Sequence, residues 1–128
     1  MQAPAEPSLE TIDVDNLLRK SANHFKQKDW QSVLQITSRV LSIDPANVIA
    51  YANRSAAFSY MGKLDDAVEE ADKALSINSK FGLAYNNRGY ALELMGKTID
   101  AIVDYRLGCL YNSKTACDNY FRLEPKLR

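Results

Sequence analysis

A period of 34 residues restricts this chain more than any other feature. The segment AYANRSAAFSYMGKLDDAVEEADKALSIN, which starts at Ala50, lies over AYNNRGYALELMGKTIDAIVDYRLGCLYN, which starts at Ala84. The offset pairs Tyr51 with Tyr85, Asn53 with Asn87, Arg54 with Arg88 and Ala57 with Ala91. It also pairs Met61-Gly62-Lys63 with Met95-Gly96-Lys97 and Asp66-Ala67 with Asp100-Ala101. A weaker copy lies one period upstream: Leu17 meets Tyr51, Ser21 meets Ser55, Trp30 meets Leu64 and Ile43 meets Ile77, and Asp44-Pro45 closes it. Three units follow, at 14–47, 48–81 and 82–115. Repetition at this spacing means stacked supersecondary units, none of which can bury its apolar face alone.

Each unit reads as two helices. Tyr51, Arg54, Ser55 and Phe58 fall on one helical face. Gly62 ends that helix, because glycine tolerates the left-handed conformation of a helix stop. Asp65 or Asp66 opens the next helix with a carboxylate near its positive end. Ala67, Ala71 and Ala74 then form a small-residue face that lets two helices lie close. With 5 glycines and 4 prolines in 128 residues, the chain is poor in turn residues, and the expected class is all-α.

Several functions are disfavoured. Sixteen basic residues balance sixteen acidic ones, so bulk charge gives no grip on nucleic acid or an anionic membrane. No apolar run is long enough to span a bilayer. Met1 to Ser8 lacks the features of a signal peptide. His24 is the single histidine, so no histidine pair can hold a metal, and no phosphate-binding glycine loop is present. Ser21 and His24 lie one turn apart but have no orienting acid. No enzyme activity, metal or cofactor is expected.

The repeats resemble the tetratricopeptide repeat family, whose 34-residue pattern places an aromatic, a small residue, a second aromatic, then Ala, an aromatic and Pro. The third unit carries Tyr85, Gly89, Leu92, Ala101 and Tyr105; the second carries Tyr51, Ser55, Phe58, Ala67 and Ala74; the first retains Leu17, Ser21 and Pro45. The unit departs from the pattern at Ser79 and Ser113, which replace the final proline, and at Arg54 and Arg88, which replace a leucine. Ala116 to Leu123 matches the start of a fourth unit. The resemblance implies a right-handed superhelix of three stacked helix-turn-helix repeats with a C-terminal capping helix at about 115–124. In that helix Tyr120 and Leu123 pack inward, while Arg122 and Glu124 face water. Residues 1–10 are expected to form a disordered lead-in, and 11–128 the repeat domain.

The resemblance also implies a function: a non-enzymatic adaptor that binds a peptide segment of a partner protein in the concave groove. The groove-facing candidates are Arg19, Phe25, Ile49, Asn53, Tyr60, Leu83, Asn86, Asn87, Tyr90 and Leu94. Asparagine offers one acceptor and two donors, so Asn53 and Asn87 can hold a peptide backbone without reading its side chains; each can equally bond within its own repeats. Tyr60 and Tyr90 offer apolar anchors. Relatives that clamp chaperone tails hold a terminal carboxylate with Lys, Asn, Asn, Lys and Arg. The matching positions here are Leu18, Ala22, Asn53, Leu83 and Asn87, so only one clamp residue survives, and carboxylate clamping loses its charge-assisted bonds. Arg54 and Arg88 are expected to pack their stems between helices and reach a carboxylate. Asp65, Asp66, Glu69, Glu70 and Asp72 are expected on the solvated convex face.

Cys109 and Cys117 flank Ser113 symmetrically across the expected turn and should face each other, either as buried thiols or as a disulfide. The rival function is a self-associating or scaffolding subunit, acting through Leu83, Tyr90, Leu94 or the terminal helix. The default compartment is cytoplasmic.

Overall fold

A computed structural model describes residues 8–124. Seven helices follow one another: α1 (Leu9–Lys26), α2 (Trp30–Ile43), α3 (Val48–Tyr60), α4 (Leu64–Ile77), α5 (Gly82–Leu94), α6 (Thr98–Leu110) and α7 (Lys114–Leu123). They pair as α1 with α2, α3 with α4 and α5 with α6, and each pair packs on the next, ending with α7 against α6 and α5.

Local chemistry sets the boundaries. The side chains of Ser8, Asp29, Asn47 and Ser113 accept hydrogen bonds from the backbone N–H of Thr11, Ser32, Ala50 and Ala116, each satisfying one orphan donor of a helix start. Asp29 is held below the usual carboxylate range, first by the Ser32 hydroxyl and then by the Ser32 N–H. α4 and α6 begin after Lys63 and Lys97 and have no side-chain cap; Asp65, Asp66 and Asp100 stand in their first turns, where the helix dipole favours negative charge. Gly62 and Gly96 adopt φ of 79° and 81° at the turns inside units two and three.

Two expectations need correction. α1 starts at Leu9, inside the stretch read as a disordered lead-in, because the Ser8 hydroxyl caps it; the remainder of that stretch, 1–7, and the last residues, 125–128, lie outside the described residues. α7 starts at Lys114, two residues before the position a strict 34-residue period from Gly82 gives. The cause is the turn before it. Asn112, with φ of 71°, closes a tight turn like those inside a unit, not the longer link between units.

The core is segmented along the stack. Val14, Leu17, Val40 and Ala50 join the first unit to the second; Ala74, Leu75 and Ala84 join the second to the third; Ala101, Ile102, Tyr105 and Leu123 join the third to α7. Tyr120 packs against that last cluster from its edge. Burying the Tyr105 ring contributes about 2–3 kcal/mol, and its hydroxyl donates to Glu93 Oε1 at 2.8 Å. α5, α6 and α7 meet at small residues: a Cβ on Gly108 would come within 2.6 Å of the Ala116 Cβ.

Arginine–carboxylate pairs tie the helices of one unit together at equivalent positions. Arg88 donates to both carboxylate oxygens of buried Asp104 at 2.8 and 2.9 Å and to Asp72 at 2.9 Å. Arg54 sits 3.4 Å from Glu70 and also donates to the Leu34 carbonyl and the Ser38 hydroxyl. Glu70 is therefore buried and does not face water with the rest of the acidic run; the nearby Arg54 charge and a hydrogen bond from Lys73 at 3.3 Å supply the compensation that a buried carboxylate requires.

Candidate functional site

The first helices of the units, together with α7, enclose an open groove of about 580 Å³. α1 contributes Ala22, Phe25 and Lys26; α3 contributes Asn53, Ala56 and Tyr60; α5 contributes Leu83, Asn86, Asn87 and Tyr90; α7 contributes Thr115, Asn119 and Arg122. These faces meet there because the buried small residues Ser21, Ala52 and Gly89 permit close packing behind them.

Of the candidate residues, Phe25, Asn53, Tyr60, Leu83, Asn86, Asn87 and Tyr90 line this groove. Arg19, Ile49 and Leu94 do not. Arg19 is exposed and bonds Asn16 at 3.2 Å on its own helix, and Ile49 and Leu94 are exposed beyond the lining. Thr115, Asn119 and Arg122 are groove residues that sequence reasoning missed, because the two-residue shift of α7 rotates them inward. The tight-turn residue Asn112 was the available signal.

An aromatic wall closes one side. Trp30 stacks on Tyr60 with ring centroids 4.7 Å apart and planes 7° apart. Phe25 packs edge-on to both, and Tyr90 stands 5.6 Å from Tyr60. Burial, chiefly, raises the Tyr90 phenol above its ordinary range, so it stays protonated and can donate. Trp30 thus acts as a backing for Tyr60.

Amides form the floor. Asn119 donates to Asn86 Oδ1 at 3.0 Å, and Asn87 donates to the Ala52 carbonyl at 2.9 Å. Asn87 is thereby committed to bridging two repeats, and Asn86 to holding α7. The half-buried side chain of Asn53 makes no hydrogen bond among the described residues. Arg122, read from the sequence as facing water, forms a two-pronged pair with Glu93 at 2.8 and 2.9 Å at the groove and so fastens α7 to α5.

The structure gives no support to nucleophile chemistry at Ser21 and His24. An acid that sequence reasoning did not find, Asp29 at the start of the next helix, lies 3.1 Å from His24 Nδ1, but Ser21 is fully buried and its hydroxyl makes no hydrogen bond to His24. Among the described residues, no cluster of His, Cys, Asp and Glu could hold a metal, and no helix is long and apolar enough to cross a membrane. Cys109 and Cys117 are joined as a disulfide across the α6–α7 turn, with Cα atoms 4.4 Å apart.

No family model matches the chain. Solved structures do. The tetratricopeptide repeat domain of Sgt2 from Aspergillus fumigatus superposes with a TM-score of 0.83 and 25% identity, over 95% of this chain and 85% of that one. The fold is that of a tetratricopeptide repeat domain. The first such domain of Spaghetti (RPAP3), bound to the HSP90 peptide SRMEEVD, matches with a TM-score of 0.77 and 23% identity, over 90% of this domain and 93% of that one. The human small glutamine-rich tetratricopeptide repeat-containing protein beta is 33% identical over 58 residues, 45% of this domain and 19% of that protein. The domain spans 3% to 19% of the length of the curated relatives matched first.

Proposed function

We propose that this tetratricopeptide repeat domain is an adaptor that holds an extended, internal segment of a partner protein in the groove. The observation that carries the reading is the pairing of a free amide, Asn53, with the aromatic wall of Phe25, Tyr60 and Tyr90 in one open groove. The amide suits a peptide backbone, and the rings suit an apolar side chain. Related domains that hold chaperone peptides support peptide binding as the mode. Leu18, Ala22 and Leu83 stand where a carboxylate clamp needs Lys, Asn and Lys, so a chain terminus is not the favoured ligand. A Cys109–Cys117 bridge persists where thiols are scarce, which favours an oxidising compartment over the cytoplasm.

A displayed library of capped peptides, panned against the domain, tests this. Selected peptides are expected to bind at about micromolar Kd and to lose at least about tenfold on Asn53→Ala or Tyr60→Ala. Asn53→Ala should leave thermal unfolding unchanged, whereas Asn87→Ala should lower stability by about 1 kcal/mol through its lost bond to Ala52. Peptides that bind the Asn53→Ala/Tyr60→Ala double variant as well as the parent would defeat the reading. So would SRMEEVD binding more tightly than the selected peptides and depending on its free carboxylate.

A further inference from the structure

The groove's own polar atoms narrow the kind of segment it can take. None of its lining residues is Asp or Glu. Three of its four side-chain amide oxygens already accept: Asn119 donates to Asn86 Oδ1 at 3.0 Å, Asn86 to Asn87 Oδ1 at 3.5 Å and Arg122 to Asn119 Oδ1 at 3.3 Å. What stays open is mostly donors. Among the described residues, the Asn53 amide, the Lys26 ammonium and the phenols of Tyr60 and Tyr90 make no hydrogen bond. The phenols and the Thr115 hydroxyl can also accept, but the Asn53 oxygen is the one dedicated acceptor left among these side chains. A segment that turns N–H groups toward this surface meets few partners, and a polar group covered without one is costly. A segment that presents carbonyls meets several.

The rings set a second condition. Phe25, Tyr60 and Tyr90 follow one another along the groove, with the Tyr60 centroid 5.8 Å from Phe25 and 5.6 Å from Tyr90. Aromatic faces carry negative charge density, which disfavours a carboxylate lying on them. Lys26 lines the same groove without an ion-pair partner among the described residues, which disfavours a cation. A neutral, flat, apolar side chain fits what remains. Proline meets both conditions. Its ring can lie on aromatic faces, it has no backbone N–H, and its carbonyl stays available because a polyproline II helix makes no internal hydrogen bond. That helix is also preformed, so docking it into an aromatic-lined groove orders little.

We infer, resting on the peptide-binding reading of the groove, that the partner segment is proline-rich and enters as a polyproline II helix. Its carbonyls face Asn53 and Tyr90, and its pyrrolidine rings lie on Phe25 and Tyr60.

Calorimetric titration with decaproline, acetylated and amidated at its ends, tests this against a capped glycine–serine peptide of equal length. Decaproline is expected to bind with a Kd on the order of 100 µM and at least about tenfold more tightly than the control. It should also alter the emission of Trp30, the single tryptophan, which stacks on Tyr60. Asn53→Ala and Tyr60→Ala should each weaken binding by about tenfold or more. Tyr90→Phe, which keeps the ring and removes one donor, should weaken it by about threefold. Decaproline that binds no better than the control would overturn the inference, and so would an affinity unchanged in Asn53→Ala and Tyr60→Ala. Proline-poor sequences selected from the capped library that need Asn53 and Tyr60 would sink the ligand class and leave the peptide groove standing. Selected sequences that ignore both residues would sink the groove reading as well.

Discussion

Lys28 occupies the left-handed region, with φ of 60°, at the turn between α1 and α2. One and two periods later the same turn position is Gly62 and Gly96. A side chain there costs about 1–2 kcal/mol, part of which glycine returns as extra freedom in the unfolded chain. Lys28→Gly should therefore stabilise the protein by about 0.5–1 kcal/mol, read as a rise of a few degrees in thermal midpoint. The same scale explains a tolerated departure from the repeat pattern. Tyr51 donates to the Pro45 carbonyl, and Tyr85 donates to the Ser79 carbonyl at the equivalent place. A backbone oxygen receives the bond, so Ser79 can replace proline without losing it.

The helices themselves were legible in the sequence wherever the 34-residue period holds. Tyr105 shows why: Gly89 leaves room for its ring, and the ring's edge lies 3.0 Å from where a Gly89 Cβ would sit. The pattern of small and large residues is thus a direct record of helix contacts. α7 escaped because its register depends on a turn, not on a repeat, so Asn119 and Arg122 could not be assigned to the groove by counting. Asn87 was readable only as an amide with two fates, and the neighbouring Ala52 carbonyl that decides its geometry is fixed by backbone packing. Tyr105 also yields a prediction at this scale. Burial first, then the Glu93 hydrogen bond, raises its phenol above the ordinary value of 10.0. Above pH 10 the unfolded chain ionises this group while the folded chain keeps it neutral, so its stabilising contribution is intact below that pH and declines as pH rises. Tyr105→Phe should flatten the alkaline part of a stability–pH profile and cost about 1 kcal/mol at neutral pH.

On the scale of the whole molecule, the stack has no long-range closure, and each unit relies on its neighbours for cover. α7, the last described helix, is fastened to the stack by Leu123, the Asn119–Asn86 amides, the Arg122–Glu93 pair and one covalent bond. Closing so short a loop stabilises by about 2–3 kcal/mol. Cys109→Ser/Cys117→Ser, or dithiothreitol with the parent chain, should lower stability by about that amount, and amide hydrogen exchange should rise first in α7. This matters beyond stability because α7 is also a wall of the groove. In glutathione-rich surroundings that wall rests on noncovalent contacts only; in a lumen poor in thiols it is permanently stapled. One polypeptide thus presents a tauter or a looser mouth according to the chemistry of the fluid around it.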